Sequence, residues 1–581
     1  MSKEEMKERG WDVLDVLLVT GDAYVDHPSY GTAVIGRVLE AEGYQVGVIA
    51  QPDWRSVQAF TRLGAPRLFV GITAGNLDSM VSNYTSHKKP RLRDAYSPHG
   101  TPGLRPDRAT IVYANRVREA FGRIPVVLGG IEASLRRLGH YDWWDNKVRR
   151  SLLLDAKADI LVYGMGEAQV LEIAARLGRG DDLAGIPGTV IAARTAPLAD
   201  DVREIPSCEA VRDDKDAFNE AFTLILRNQD PYRGKVLVQR HNDRFVIQFP
   251  PAAPLTGDQL DAIYRLPYSR MPHPSYGDER AVPGFETTRF SLISHRGCCG
   301  ACSFCSLSMH QGRIIQSRSV ESVLREARLV SEMKGFRGTI TDVGGPTANL
   351  YQARCPSWTK TGACAERDCL TPEKCERLKT GYGEALRLYR AIMGLPKVKH
   401  MFLESGLRYD LLARDDAAAY FEHVCRHHVG GQMKVAPEHS ADRMLRIMNK
   451  PGFPVYERFV ERFNKLREKT GKDEYLVNYF ISAHPGATLK DEAALASYLR
   501  QHGMRPEQVQ DYTPLPLTLS ACMYYTEKHP FTGEKLHVAK SFTERKAHRA
   551  CIQGGPPPKR EGRAAETPNP RPHRKPLKLP R

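Results

Sequence analysis

Three thiols stand close together near the middle of the chain. Cys298, Cys302 and Cys305 are spaced C-x3-C-x2-C within Ser294-His295-Arg296-Gly297-Cys298-Cys299-Gly300-Ala301-Cys302-Ser303-Phe304-Cys305. The apolar run at 290–294 reads as a buried strand, and Gly297 and Gly300 let the backbone after it curl tightly. Three thiolates on one loop suit an iron–sulfur cubane, which usually takes four cysteine ligands. With three, one iron keeps an open position for a small molecule, as a catalytic zinc does. Zinc is the other chemistry open to close thiols, but zinc sites usually show C-x2-C pairs with a second pair or histidines downstream. Cys299 falls outside the spacing and is not assigned as a ligand.

A second group follows in an insertion at 344–397. Cys355, Cys364, Cys369 and Cys375 fall within it, with Pro356 and Pro372 between them. Their irregular spacing fits a loop wrapped on a metal, and a second iron–sulfur cluster and a structural zinc are both open. The four are expected to converge on one site, since metal–thiolate bonds can supply the free energy that orders a long loop.

The elements that must position these groups come in two runs. From residue 12 to about 195, apolar strands at 15–20, 45–50, 67–73, 125–129 and 159–163 alternate with helical patterns such as 108–121. This alternation implies a parallel, doubly wound sheet that binds ligands at the carboxyl ends of its strands. Residues 1–195 are therefore one domain. Residues 196–283 read as a connection, with a hairpin across 240–243 and a proline-rich linker. The alternation resumes at 284–520, with strands at 289–294, 338–343, 400–404, 432–436, 475–481 and 508–512. Six βα units are too few for a closed eight-stranded barrel. Asp342, Glu404, Lys434, Glu438 and His484 fall at strand ends and become site candidates. The aromatic cluster His140-Tyr141-Asp142-Trp143-Trp144 reads as core or interface packing. A small basic extension occupies 521–553, and the tail at 554–581 is expected to be disordered.

The 581 residues are 41% hydrophobic and 26% charged, as in soluble globular proteins. The charged start lacks an apolar signal core, and no apolar run approaches the roughly 18–20 residues that span a bilayer. A reducing cytoplasm is expected, which suits twelve cysteines acting as ligands rather than disulfides. The net charge of +16 favours anionic partners, nucleic acid among them, although a solvated basic tail accounts for part of it.

The C-x3-C-x2-C loop, with Phe304 before its last cysteine, resembles that of the radical S-adenosylmethionine (SAM) superfamily. The resemblance implies a 4Fe-4S cluster on Cys298, Cys302 and Cys305, with SAM chelating the open iron and cleaved to a 5'-deoxyadenosyl radical. It implies a partial (β/α)6 barrel for 284–520. It implies an electron donor of flavodoxin or ferredoxin type. It also makes Phe304, Gly344, Gly345 and Pro346 cofactor-binding: the glycines match the family's GGE turn, with Pro346 in place of the acid. The N-terminal half resembles the cobalamin-binding-like domain that precedes many such cores, through Gly129-Gly130-Ile131-Glu132-Ala133-Ser134 and Gly164-Met165-Gly166-Glu167. The family's Asp-x-His-x-x-Gly motif is absent from Asp26-His27-Pro28-Ser29-Tyr30-Gly31, so cobalamin is not expected to bind tightly. Across 12–552 the chain is similar to the YgiQ family of radical SAM proteins, for which the resemblance supplies fold and cofactors but no substrate. Two other readings remain: an RNA-modifying methyl- or methylthiotransferase, against which the single upstream Cys208 argues, and a non-catalytic iron–sulfur protein that binds nucleic acid.

Overall fold

The computed structural model describes residues 2–197 and 201–554. The stretch read as a disordered tail lies, from 555 onward, outside the described residues. Nine strands form the N-terminal sheet: β1 (Val16–Thr20), β2 (Val46–Ala50), β3 (Phe69–Thr73), β4 (Val126–Leu128), β5 (Ile160–Val162), β6 (Thr189–Ala193), β7 (Val202–Ile205), β8 (Val236–His241) and β9 (Arg244–Gln248), in the order β7-β8-β9-β6-β5-β4-β3-β1-β2. β2, β1, β3, β4 and β5 run parallel, with Thr20 level with Ala50 on one side and Thr73 on the other. Val16, Leu17 and Val19 are wholly buried, as a central parallel strand covered on both faces requires. The chain leaves β1 for β2 on one side and returns to β3 on the other. That reversal is a topological switch point, where such sheets open a crevice.

Helices cover the faces. α1 (Gly31–Ala41), α2 (Ala109–Phe121), α3 (Gly130–Leu135) and α4 (Glu167–Arg179) follow parallel strands. α2 buries Ala109, Tyr113, Ala114 and Val117, one stripe at helical spacing. α4 starts at Glu167 and stops at Gly180 in the left-handed conformation, with Arg176 and Arg179 against the negative end of its dipole.

The connection at 196–283 is more regular than its sequence suggests. β6 turns antiparallel to β5, and the hairpin β8–β9 pairs onto it, Ile247 level with Ile191. An uncovered β6 would leave an apolar edge with unpaired amides, and the hairpin removes it. These strands belong to the first sheet rather than to a linker.

The second half carries β10 (Ser291–Ile293), β11 (Thr339–Ile340), β12 (Asp342–Gly344), β13 (His400–Met401), β14 (Gln432–Glu438), β15 (Tyr475–Ser482) and β16 (Gln508–Asp511). All recorded pairs among them are parallel: β10 with β12, β11 with β13, and β14-β15-β16. The amide of Leu407 donates to Lys434 O at 3.1 Å and joins the third strand position to the fourth. β11 and β12 are one strand interrupted at Thr341, which leaves six strand positions. Among the described residues β10 and β16 do not pair, so the barrel stays open. α5 (Val320–Glu332), α6 (Tyr382–Met393), α7 (Ala418–His427), α8 (Phe453–Thr470) and α9 (Leu489–Gln501) pack outside. One core joins Leu292, Ile340, Val343, Met401 and Met433 of the strands to Val323, Leu388, Val424 and Phe459 of the helices.

α6 is the helix expected after the second strand, so the cysteine-rich insertion ends before it. Arg354 and Lys379 exchange backbone hydrogen bonds of 2.9 Å and close that loop at its base. The loop docks on the first half, where Ala363 N–H donates to Asp230 Oδ2 at 2.7 Å. The extension supplies α10 (Leu519–Thr526) and α11 (Phe542–Ile552). Trp143 is buried beneath them: its indole donates to Tyr524 Oη at 3.4 Å, and the Arg545 guanidinium lies 4.9 Å from its ring. No helix among the described residues is long and apolar enough to cross a membrane.

The two halves meet across a buried ion pair. Glu167, at the head of α4, accepts from Arg296, two residues before Cys298, and both side chains are about 5% exposed. Arg296 Nε also donates to Tyr264 Oη at 3.2 Å. Removing one member of a buried pair strands the other charge, so Glu167→Ala is expected to cost about 3–5 kcal/mol in chemical denaturation. The double replacement Glu167→Leu with Arg296→Leu is expected to recover most of that loss. An unchanged midpoint in the single variant would refute the assigned role.

Candidate radical centre

The cysteine loop is held as a closed lariat. His295-Arg296 pairs antiparallel with Gln316-Ser317, bracketing 297–315. Gly297 has φ +84°, and a Cβ there would stand 2.3 Å from Ile314 O, so the turn accepts only glycine. Inside it, Cys298 N–H donates to Gly312 O and Cys305 N–H to Cys302 O, both at 3.1 Å. Cys298, Cys302 and Cys305 are half-buried free thiols. Among the described residues neither thiol group brings three sulfurs within 4.8 Å of one another. That spread is wider than the sulfurs round one tetrahedral ion.

The electrostatics fit such a core. Burial pushes the Cys305 thiol up to about 12, with the neighbouring Cys302 sulfur adding to it. Burial also raises Cys298, against the pull of the Arg408 guanidinium. Metal binding to this loop would therefore displace protons from its thiols. Arg408 is buried, bonded through Nη2 to Asp410 Oδ2 at 2.9 Å, and its Nη1 lies 3.9 Å from Cys302 Sγ. A Cβ on Gly300 would sit 2.3 Å from that Nη1 and 3.4 Å from Cys298 Sγ. Gly300 is thus the gap through which a cation reaches the thiolates. Arg408 was not found from sequence. Its only signal is its place just past the third strand.

Next to the loop is a cavity of about 850 Å³ between the halves. One wall is the switch point of the sheet, with Gly71, Gly75, Gly129, Gly130, Gly164 and Gly166. The other is the barrel mouth, with Gly344, Gly345 and Pro346 beside Asp342, Glu404 and Lys434. Here the glycines are dictated by close approach. A Cβ on Gly344 would meet Ser405 Oγ at 2.3 Å, and one on Gly345 would meet His295 Cε1 at 2.7 Å. Asp342 accepts from the amides of Glu404 and Ser405 at 2.9 and 3.1 Å, and burial raises its pKa. Lys434 Nζ donates to Glu404 Oε2 at 2.5 Å. His295 and His310 also line this space; burial lowers both to about 4, so they are neutral imidazoles at neutral pH.

Other candidates lie elsewhere. Phe304 faces away from the cavity, edge-on to His484 at 6.2 Å. His484 is buried, its Nε2 2.7 Å from Ser520 Oγ, and burial lowers it to about 3. Glu438 adopts φ +69° beyond a bulge in β14 and lies 3.7 Å from Lys450, buried with it. His27 does not face the cavity; its ring packs against Tyr30 and Phe285, each at 6.2 Å.

The four insertion thiols do not gather round one ion. Cys369 is buried, Cys355 and Cys375 are half-buried at the same apolar patch, and Cys364 is exposed. The hold of Asp230 on Gly362-Ala363 explains this, because it draws the next residue, Cys364, to the surface. The partner of Cys369 is instead Cys299, the thiol the spacing left over. A hydrogen bond between them holds Cys369 down and Cys299 up.

Comparison with known proteins gives a consistent picture. The family described as Radical SAM N-terminal matches residues 1–291, and the Radical SAM superfamily matches 292–499. The chain is 50% identical over 556 residues to a UPF0313 protein of Methanocella arvoryzae, covering 95% of this chain and 92% of that one. A UPF0313 protein of Methanosarcina mazei is 49% identical over 590 residues, covering 95% and 94%. One from Clostridium botulinum is 47% identical over 556 residues, covering 95% and 86%. Among solved structures, the radical SAM methyltransferase TsrM from Kitasatospora setae, with tryptophan and a SAM analogue, has a TM-score of 0.48 at 17% identity, covering 86% of this chain and 73% of that one. The cobalamin-dependent enzyme OxsB, with aqua-cobalamin, has a TM-score of 0.48 at 12% identity, covering 92% and 58%. These comparisons do not support the expectation against cobalamin.

The triple variant Cys298→Ala, Cys302→Ala and Cys305→Ala is expected to lose about four irons per chain after anaerobic reconstitution, the content of one cubane. Cys299→Ala should keep them. Iron analysis and visible absorption decide the matter, and a triple variant with an intact cluster spectrum would contradict the assignment. Loading of the wild type should also fall as pH is lowered, because protons compete for the thiolates.

Proposed function

The chain belongs to the UPF0313 (YgiQ) family of the radical SAM superfamily, and from that premise we propose that it works on a substrate held in the chamber between its two halves. It is a radical SAM enzyme whose reaction is unassigned. Cys298, Cys302 and Cys305 hold the 4Fe-4S cluster, which when bound supplies the electron that cleaves SAM to a radical able to take hydrogen from a substrate. Arg408 offsets thiolate charge beside it. The turn at Gly344–Pro346 receives the SAM ammonium. Gly344 O is already taken by the Ser294 amide at 2.7 Å, so the carbonyls that follow it serve as acceptors. Pro346 carries no acid, and the carbonyls suffice without one.

The observation that carries this reading is that one cavity is bounded both by that turn and by the sheet's switch point. Its walls are largely apolar, with Ile35, Ile72, Val162, Met165 and Leu292, and its acidic and basic groups lie at Glu167 with Arg296 and at Asp342 and Glu404 with Lys434. Such a site suits a ligand with an apolar body and a few polar handles. A substrate, or a corrinoid lying on the glycine turns, fits that description. A reductant of flavodoxin or ferredoxin type supplies the electron. The RNA-modifying and nucleic-acid readings rest on charge alone, much of it in a tail beyond the described residues.

Anaerobically reconstituted protein given dithionite and SAM is expected to release 5'-deoxyadenosine. Gly345→Ala should lower SAM affinity at least about tenfold, a loss of about 1.4 kcal/mol, while keeping its iron. Full SAM cleavage by the Cys298/Cys302/Cys305 variant, or none by the loaded wild type, would end this proposal. Retention of a corrinoid by protein purified from cobalamin-fed cells separates the two occupants of the chamber.

A further inference from the structure

The C-terminal extension holds a constellation far from any thiol site. Ser541 caps α11 by accepting from the Glu544 amide at 3.1 Å, and the helix sets Glu544 and His548 one turn apart on one face. The preceding loop is pinned by Gly486 N–H, which donates to His537 O at 2.7 Å. That brings His537 over the same face: its ring lies parallel to that of His548, centroids 6.1 Å apart, and its Nε2 is 2.9 Å from Glu544 Oε1. One ligand atom from each of the three lies within 4.8 Å of the others.

The second observation is an orphaned atom. His548 is fully buried. Its Nδ1 lies 2.9 Å from Glu492 Oε1, and its Nε2 has no hydrogen-bond partner. Leaving such a nitrogen unpaired in the interior is unfavourable. Glu492, on α9 and itself fully buried, accepts a hydrogen bond from Nδ1–H, which places the lone pair on the free Nε2. A carboxylate behind a ligating imidazole does the same at metal sites. The His537–Glu544 ion pair alone explains neither the free Nε2 nor the buried Glu492.

We propose that His537, Glu544 and His548 bind a divalent first-row transition cation of zinc type. Two imidazoles and one carboxylate are too soft a set for magnesium or calcium and lack the thiolate that selects copper(I). His537 is exposed, so a water completes the coordination. The ion clamps the 537 loop and α11 together and, through Glu492, onto α9. Because α11 carries Arg545 over Trp143, the clamp fastens the extension across the seam between the halves.

The test uses the full-length, cluster-loaded chain dialysed against zinc ions alone. His537→Ala is the informative variant, since an exposed ring can be removed without disturbing the fold; unchanged iron content and circular dichroism verify this. Wild type should bind one zinc more per chain than His537→Ala or Glu544→Gln. Added zinc should raise the melting temperature of the wild type and not of the variants. Equal zinc content in wild type and both variants would overturn the proposal. So would a zinc-induced shift in melting temperature that persists in His537→Ala.

Discussion

The cysteine loop can be useful only if its strand meets the N-terminal sheet in one register, and the buried Arg296–Glu167 pair sets it. Both charges are out of water, so neither tolerates a displaced partner. Arg296 stands two residues before the first cysteine, and Glu167 opens α4 just past β5. A fixed distance between them therefore fixes the thiols relative to the sheet's switch point. Further charges reinforce the arrangement. Arg318 and Arg270 share Glu326, and Arg318 lies 4.2 Å from the Tyr264 ring that also meets Arg296.

The chamber follows from this docking. An open doubly wound sheet offers a crevice at the carboxyl ends of its strands, and a partial barrel offers a mouth at the same ends of its own. Here the two openings face each other. Glycines line the sheet side, and at Gly75 and Gly130 a Cβ would meet Asp22 or Thr73. Charged groups line the barrel side, where Asp342 is tied down by two amides and Glu404 by Lys434. The neutral histidines between them add hydrogen-bonding capacity without charge.

The insertion and the C-terminal extension close the assembly from two directions. The insertion reaches the first half through Asp230 and the loop through Arg313, which donates to Asp368 Oδ1 at 2.6 Å. Asn449 joins Asp368 to Ala301 O within the cysteine loop, both bonds 2.8 Å. The thiol loop is therefore braced from behind by the cysteine-rich segment even though Cys364 of that segment stands at the surface. On the other side the extension buries Trp143 beneath Arg545.

The sequence by itself determined the local elements and the grouping of three thiols on one loop. Alternating apolar runs and helical stripes report burial directly, which is why the five parallel strands of the first sheet and the six strand positions of the barrel were readable, with bounds that differ by up to about three residues. Three cysteines on one short loop stay together in any fold, so their proximity was readable as well. Only the tertiary structure decided the rest, because it depends on which distant surfaces lose water together. The hairpin at 236–248 completes a sheet rather than bridging domains because β6 needed a partner. Cys364 leaves its three neighbours because Asp230 holds the adjacent backbone, and Cys299 finds Cys369 because the insertion packs under the loop. Arg408 has only its place past the third strand as a signal, and His548 with its free nitrogen has none. A buried charge or an unpaired imidazole exists only once two remote segments have closed over it.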